Sequence, residues 1–148
     1  MRKAMIGVAL VLVALGGLAW LRTNNEVAVS GGTGAEGAQP GTEAMVRIVL
    51  PEALSENAVI GKRAFDANCA ECHGANAAGQ NGVAPPLVHK IYEPSHHGDE
   101  SFQRAVAQGV RAHHWSFGNM PPVAGLSRAD VAMIIAYVRE LQRANGIE

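Results

Sequence analysis

The chain has 148 residues, with 12 Lys and Arg balanced by 13 Asp and Glu, and only 5% of its residues are aromatic. That length holds one domain of ordinary size plus a tail, and charges that nearly cancel leave nothing to attract the phosphates of a nucleic acid. A core made mainly of Ala, Val, Leu and Ile is necessarily small.

Met1, Arg2 and Lys3 give a positive start, and an uncharged run follows from Ala4 to Leu21. As a helix this run would extend about 27 Å at ~1.5 Å per residue, close to the ~30 Å of a bilayer core. Residues 1–22 are therefore expected to form an N-terminal membrane anchor. A cleaved signal peptide is the rival reading, with Gly17-Leu18-Ala19 as a poor small-x-small site. Trp20 and Arg22 look like an interfacial anchor at the far membrane face. Under either reading the basic start stays on the cytoplasmic side and the rest of the chain is exported.

From Thr23 to Ala44 the composition shifts to Gly, Ser, Thr, Ala and Asn. Such a segment buries too little apolar surface to offset its ordering entropy, so residues 23–44 are expected to be a flexible tether with a reach of about 25 Å. Residues 45–148 then make the folded domain. Met45 to Leu50 alternates weakly before Pro51 and is expected to be a short extended segment packed on that domain.

Ser55 or Asn57 can cap a first helix running to about Asn68, with Ile60, Ala64, Phe65 and Asn68 at helical spacing. Its carboxyl end delivers Cys69, Ala70, Glu71, Cys72 and His73. The Cys-x-x-Cys-His spacing is that of a c-type haem attachment site: each thiol adds to one vinyl group, and the following histidine sits under the iron. A bare Cys-x-x-Cys also serves as a redox dithiol or as half a zinc site. A zinc site needs two further soft ligands, and there are no other cysteines. A dithiol of the thioredoxin kind needs a strand-to-helix context that this region lacks. A buried haem would supply the apolar volume that the side chains do not, so the apoprotein is expected to fold poorly.

Residues 75–83 read as loop, stiffened by Ala84-Pro85-Pro86-Leu87. A second helix fits Asp99 or Glu100 to Gln108, with Asp99 as cap and Gly109 ending it. Ser127 and Asp130 form a capping box for a last helix in which Val131, Ile134, Ile135, Val138 and Leu141 continue the period to about Asn145-Gly146. No strand pair is evident, so the expected class is all-α.

A six-coordinate haem needs a distal ligand, and thioether raises the potential. Met120 is the leading candidate, because Gly118-Asn119-Met120-Pro121-Pro122 forms a stiff loop between two helices. Met133 is read as core. The rival ligands are His89, the pair His96-His97 and the pair His113-His114. The two pairs flank one short helix, an arrangement that can form an accessory metal site or titrate near neutrality.

Over about Ser55 to Arg143 the sequence resembles the class I c-type cytochromes. The motifs are Gly61-x-x-x-Phe65, Cys69 to Gly74, Ala84-Pro85-Pro86-Leu87, Gly118 to Pro122, and Ile134-x-x-Tyr137-Val138-Arg139. The resemblance implies one covalent haem c wrapped by helices, the first and last of which cross near Gly61, Phe65, Ile134 and Tyr137. It implies that Cys69 and Cys72 hold the haem and that His73 and Met120 ligate the iron. It also implies that a carbonyl near Pro85 accepts the His73 ring N–H and that Leu87 packs on the haem. Two departures stand out: there is no lysine-rich rim, and a His-His-Trp run precedes the methionine, where Trp115 would lie near a propionate, at a docking surface or, most simply, in the packing. The expected protein is a one-electron carrier, not an enzyme, on its own or as the haem subunit of a larger oxidoreductase. It is expected to be tethered to the cytoplasmic membrane with its domain in the periplasm, between a redox donor and acceptor. The other readings are a haem enzyme or ligand-binding sensor with an open distal position, and a metal-handling module built on the paired histidines.

Overall fold

The computed structural model describes residues 43–148. The expected anchor over 1–22 and all but the end of the tether over 23–44 lie outside the described residues. Among the described residues no helix is long and apolar enough to cross a membrane.

Helix α1, Glu56–Asn68, begins where Ser55 Oγ accepts the Ala58 N–H at 3.3 Å. Asn57 is inside the helix and is not the cap. Ser55 is itself held from across the domain, its hydroxyl donating to Glu140 Oε1 at 2.6 Å and its N–H to Oε2 at 3.1 Å. The buried residues of α1 are Ala58, Gly61 and Phe65, while Ile60 is exposed. The i, i+3, i+7 row starting at Ala58 faces the core, so Ile60, two residues on, points away.

After α1 the chain makes one short helix, α2, Ala70–His73, then a 3-10 turn over Ala75–Ala77 and another over Lys90–Tyr92. Helix α3 spans Asp99–Gln108. Its cap position is Gly98, which makes no side-chain cap hydrogen bond, so Asp99 is not the cap. The Asp99 carboxylate is drawn instead to Arg139, with Nε donating to Oδ1 at 2.9 Å. Helix α4, Arg128–Ala144, opens with the expected capping box and ends at Asn145. Among the described residues there is no strand, only isolated bridges, so the domain is all-α as expected.

The core lies between α1 and α4. Phe65 and Tyr137 pack with ring centroids 5.7 Å apart, beside Ala58, Ile134, Val138 and Leu141. Burying an aromatic or branched side chain of this size stabilises by about 1.5–3 kcal/mol. The crossing is closest at Gly61, where a Cβ would stand 1.8 Å from the carbonyl oxygen of Met133. Only glycine permits that approach.

The segment between α2 and α3 has no ladder, so its carbonyls need side-chain partners. Arg139, buried on α4, donates Nη1 to Tyr92 O and Nη2 to His97 O, each at 2.6 Å. Gln142 Nε2 donates to Leu87 O at 2.8 Å and to Tyr92 O at 3.0 Å. Residues 46–50 have no regular secondary structure, but they dock on the end of α4. There Val49 N–H donates to Asn145 Oδ1 at 2.9 Å, and Asn145 Nδ2 returns a bond to Val49 O at 2.8 Å.

Candidate functional site

Cys69 closes α1, its N–H bonding to Phe65 O at 2.8 Å, and α2 carries Cys72 and His73 in the next turn. The His73 N–H returns to Cys69 O at 2.8 Å, which holds the five residues in one compact coil. Gln80 Nε2 donates to Glu71 O at 2.7 Å and fastens the end of that coil. The two cysteines form no disulfide with each other. Before haem attachment, burial, and then the neighbouring Cys72, push the Cys69 thiol up to about 11.

His73 Nδ1 lies 2.9 Å from Pro85 O. A carbonyl only accepts, so Nδ1 carries the proton and Nε2 keeps its lone pair. Burial lowers the His73 pKa against the opposing effect of that hydrogen bond, which keeps the ring neutral. The expected contact between His73 and the Pro85 carbonyl is present.

Met120 is delivered by a loop closed at its neck. Val110 N–H donates to Met120 O at 2.9 Å, and Met120 N–H donates to Val110 O at 3.0 Å. Gly109 makes this possible with φ +75°, since a Cβ there would stand 2.5 Å from Met120 O. Inside the loop, Asn119 Oδ1 accepts the Ala112 N–H at 2.9 Å.

His73, Cys72, Met120 and Pro121 all border two adjoining cavities. One is walled by apolar side chains that include Phe65, Leu87, Phe102, Val106 and Ile134, with a volume of about 130 Å³. The other runs past Pro85, Val110, His113, His114, Trp115 and Phe117, with a volume of about 170 Å³. Together they form a slot between the imidazole on one side and the methionine loop on the other. Trp115 stacks on Phe117 and meets the edge of His89, yet its buried indole N–H has no partner. The nearby Tyr92 hydroxyl, whose pKa burial raises against an opposing effect of Trp115, does not satisfy it.

The paired histidines converge beside that slot, with His113 and His114 on its wall. His96 Nε2 is 3.4 Å from His114 Nε2, and His113 packs on His114 with ring centroids 4.4 Å apart. Partial desolvation, and then His113, His97 and His96, lower the pKa of His114. His89 stays apart, its Nδ1 accepting the Ile91 N–H. Gln142 is a positioning residue that the sequence does not single out, and Arg139, which closes the Ile134-x-x-Tyr137-Val138-Arg139 motif, has a positioning role that the motif does not reveal. Their only local signal is two polar residues on the apolar face of the last helix.

The fold and site define a small helical domain built to hold a flat apolar group between a neutral imidazole and a methionine. Residues 58–142 match the cytochrome c family, and the chain belongs to that family. It is 35% identical over 96 residues to the Cbb3-type cytochrome c oxidase subunit CcoP of Rubrivivax gelatinosus. That alignment covers 64% of this chain, which spans only 28% of the relative's length. No solved structure matches the chain.

The Cys-x-x-Cys-His motif lies inside the matched region and gives the domain one covalently bound haem c. The residues present fit that group. The slot is apolar, the imidazole is neutral with Nε2 free, and the orphaned Trp115 N–H suits a carboxylate at the slot's edge. Residues 58–142 are thus a cytochrome c domain, consistent with electron transfer rather than catalysis.

Proposed function

We propose that this is a monohaem one-electron carrier in which Cys69 and Cys72 would hold the haem through two thioethers and His73 Nε2 and Met120 Sδ would ligate its iron. When bound, the haem supplies the Fe(III)/Fe(II) couple. The protein's own part is to keep both ligands still. The Pro85 carbonyl orients the His73 ring and makes Nε2 more basic, Leu87 on the cavity wall would pack on the haem, and the Val110–Met120 closure with Pro121 and Pro122 limits the motion of the thioether. A ligand set that does not rearrange on reduction favours transfer over chemistry at the iron.

The observation that carries this reading is the shared slot. His73, with its free Nε2, and Met120 border the same cavities from opposite segments of the chain. Ferric protein is expected to show the weak far-red thioether-to-iron band, and Met120→Ala to abolish it. A high-spin ferric spectrum in the unaltered protein would overturn the carrier reading.

The expected setting is the outer face of the cytoplasmic membrane, with residues 1–22 as anchor and 23–44 as tether, so that the domain over 45–148 reaches donor and acceptor in the periplasm. Support comes from the apolar run between Lys3 and Arg22 and from the likeness to a subunit of a respiratory oxidase. By that likeness the partners are respiratory redox proteins. Fractionation of the full chain against a chain beginning at residue 23, fused to a cleavable export signal, tests this. Sedimentation of the full chain with membranes and release of the shorter one are expected, and equal release of both overturns the anchor.

A further inference from the structure

Two segments far apart in sequence bring their histidines to one point. His96 and His97 end the turn after Tyr92, where both N–H groups bond to Glu93 O, at 3.1 and 2.8 Å. His114 belongs to the loop closed by Val110 and Met120. One ring nitrogen from each of His96, His97 and His114 lies within 4.8 Å of the others.

We propose that His96, His97 and His114 form a second metal site, beside the haem slot, for a divalent cation of zinc type. Two nitrogens bound to one ion at 2.0–2.1 Å in a tetrahedron stand about 3.3–3.4 Å apart, whereas adjacent ligands in a square plane at the same bond length stand about 2.9 Å apart. The His96 Nε2 to His114 Nε2 separation is 3.4 Å, the tetrahedral edge. His97 is prepared for the same role: its Nδ1 donates to Ile91 O at 2.6 Å, so its Nε2 holds the lone pair. That is the backbone-carbonyl support common behind ligating histidines. The turn carrying these histidines is also fastened, through the bond from Arg139 to His97 O. Rotation of the exposed His96 and His114 side chains closes the remaining separations.

Packing alone explains the cluster poorly. His96 and His114 are exposed, so bringing them together buries little surface, and no histidine among the described residues has a carboxylate partner. Imidazoles without acidic neighbours suit zinc or copper rather than calcium or magnesium. Arg104 and Arg111 border the adjoining groove with His96 and His97, and their charge favours an anion, such as chloride or hydroxide, as the fourth ligand. The bound ion would join the 93–97 turn to the loop that carries Met120 and so brace that loop through His114, on the wall of the haem slot.

Calorimetric titration of the full-length haem-loaded protein with zinc chloride tests the proposal. One ion per chain is expected. The single variants His96→Gln and His114→Gln should each weaken binding at least tenfold, and His89→Gln should leave it unchanged. Matching far-ultraviolet circular dichroism across the set shows that each variant is folded. Cobalt(II) in place of zinc should give the intense visible bands of a tetrahedral centre, and zinc should raise the thermal midpoint of the unaltered protein but not of the double variant His96→Gln/His114→Gln. Absence of saturable binding, affinity unchanged in the double variant, or a weak six-coordinate cobalt spectrum would each overturn it.

Discussion

Gly61 and Met133 touch through their backbones: a Cβ on Gly61 would stand 1.8 Å from the Met133 carbonyl oxygen and 2.4 Å from its carbon. Because the obstacle is main chain inside α4, it cannot rotate aside. Gly61→Ala must therefore push α1 and α4 apart along their whole shared face, including the Phe65–Tyr137 contact. A loss of about 3 kcal/mol or more is expected, at the upper end for overpacking. Denaturant titration of the haem-loaded variant measures it, and a loss below 1 kcal/mol would show that the helices slide freely.

Arg139 works through carbonyls more than through charge. Its partner Asp99 has a side chain 67% exposed, whereas Arg139 itself is 9% exposed and also bonds Tyr92 O, His97 O and Gln142 Oε1. Asp99→Asn is expected to cost less than about 1 kcal/mol, as for an exposed pair. Arg139→Met leaves the His97 carbonyl without its side-chain donor and Tyr92 O with Gln142 Nε2 alone, and should cost about 3 kcal/mol. Arg139→Lys, which keeps the charge but loses the planar fork, should fall nearer to Met than to wild type. Chemical denaturation of the four proteins gives the order.

At the proposed distal position, Met120→His keeps a ligand but replaces thioether with imidazole. The reduction potential is expected to fall by more than about 59 mV, a tenfold shift for one electron. Spectroelectrochemical titration reads it directly. An unchanged potential would mean that the sulfur is not on the iron.

The capping box sets a small pH dependence. Hydrogen bonds from the Ser127 side chain, then from its backbone, hold the Asp130 carboxyl below its usual range. A depressed carboxylate pKa stabilises the fold above the unfolded value of about 3.9, and this contribution fades as pH falls through the lower folded value. Ser127→Ala should therefore lose stability relative to wild type at pH 6, with the gap narrowing below pH 4. Thermal melts at the two pH values test the sign.

The helices were legible because their signals are local. Ser55 and Ser127 precede helical periods, and both cap as expected. The errors arose where a distant residue competed. Asp99 has the right side chain for a cap, but Arg139, 40 residues away, takes its carboxylate and leaves Gly98 at the cap position. Ile60 satisfies a helical spacing on the wrong phase, and only the direction of α4 shows which phase is buried.

By itself the sequence determined the haem chemistry, because two thiols and an imidazole at fixed short spacing need only one turn of chain to act together. It also determined the caps at Ser55 and Ser127, for the same reason of short range. Tertiary structure decided what meets across loops: the Pro85 carbonyl behind His73, the slot shared with Met120, the Arg139 fork, and the meeting of His96 and His97 with His114. Spacing along the chain cannot specify those contacts, since they depend on the path of segments that have no repeating hydrogen-bond pattern of their own.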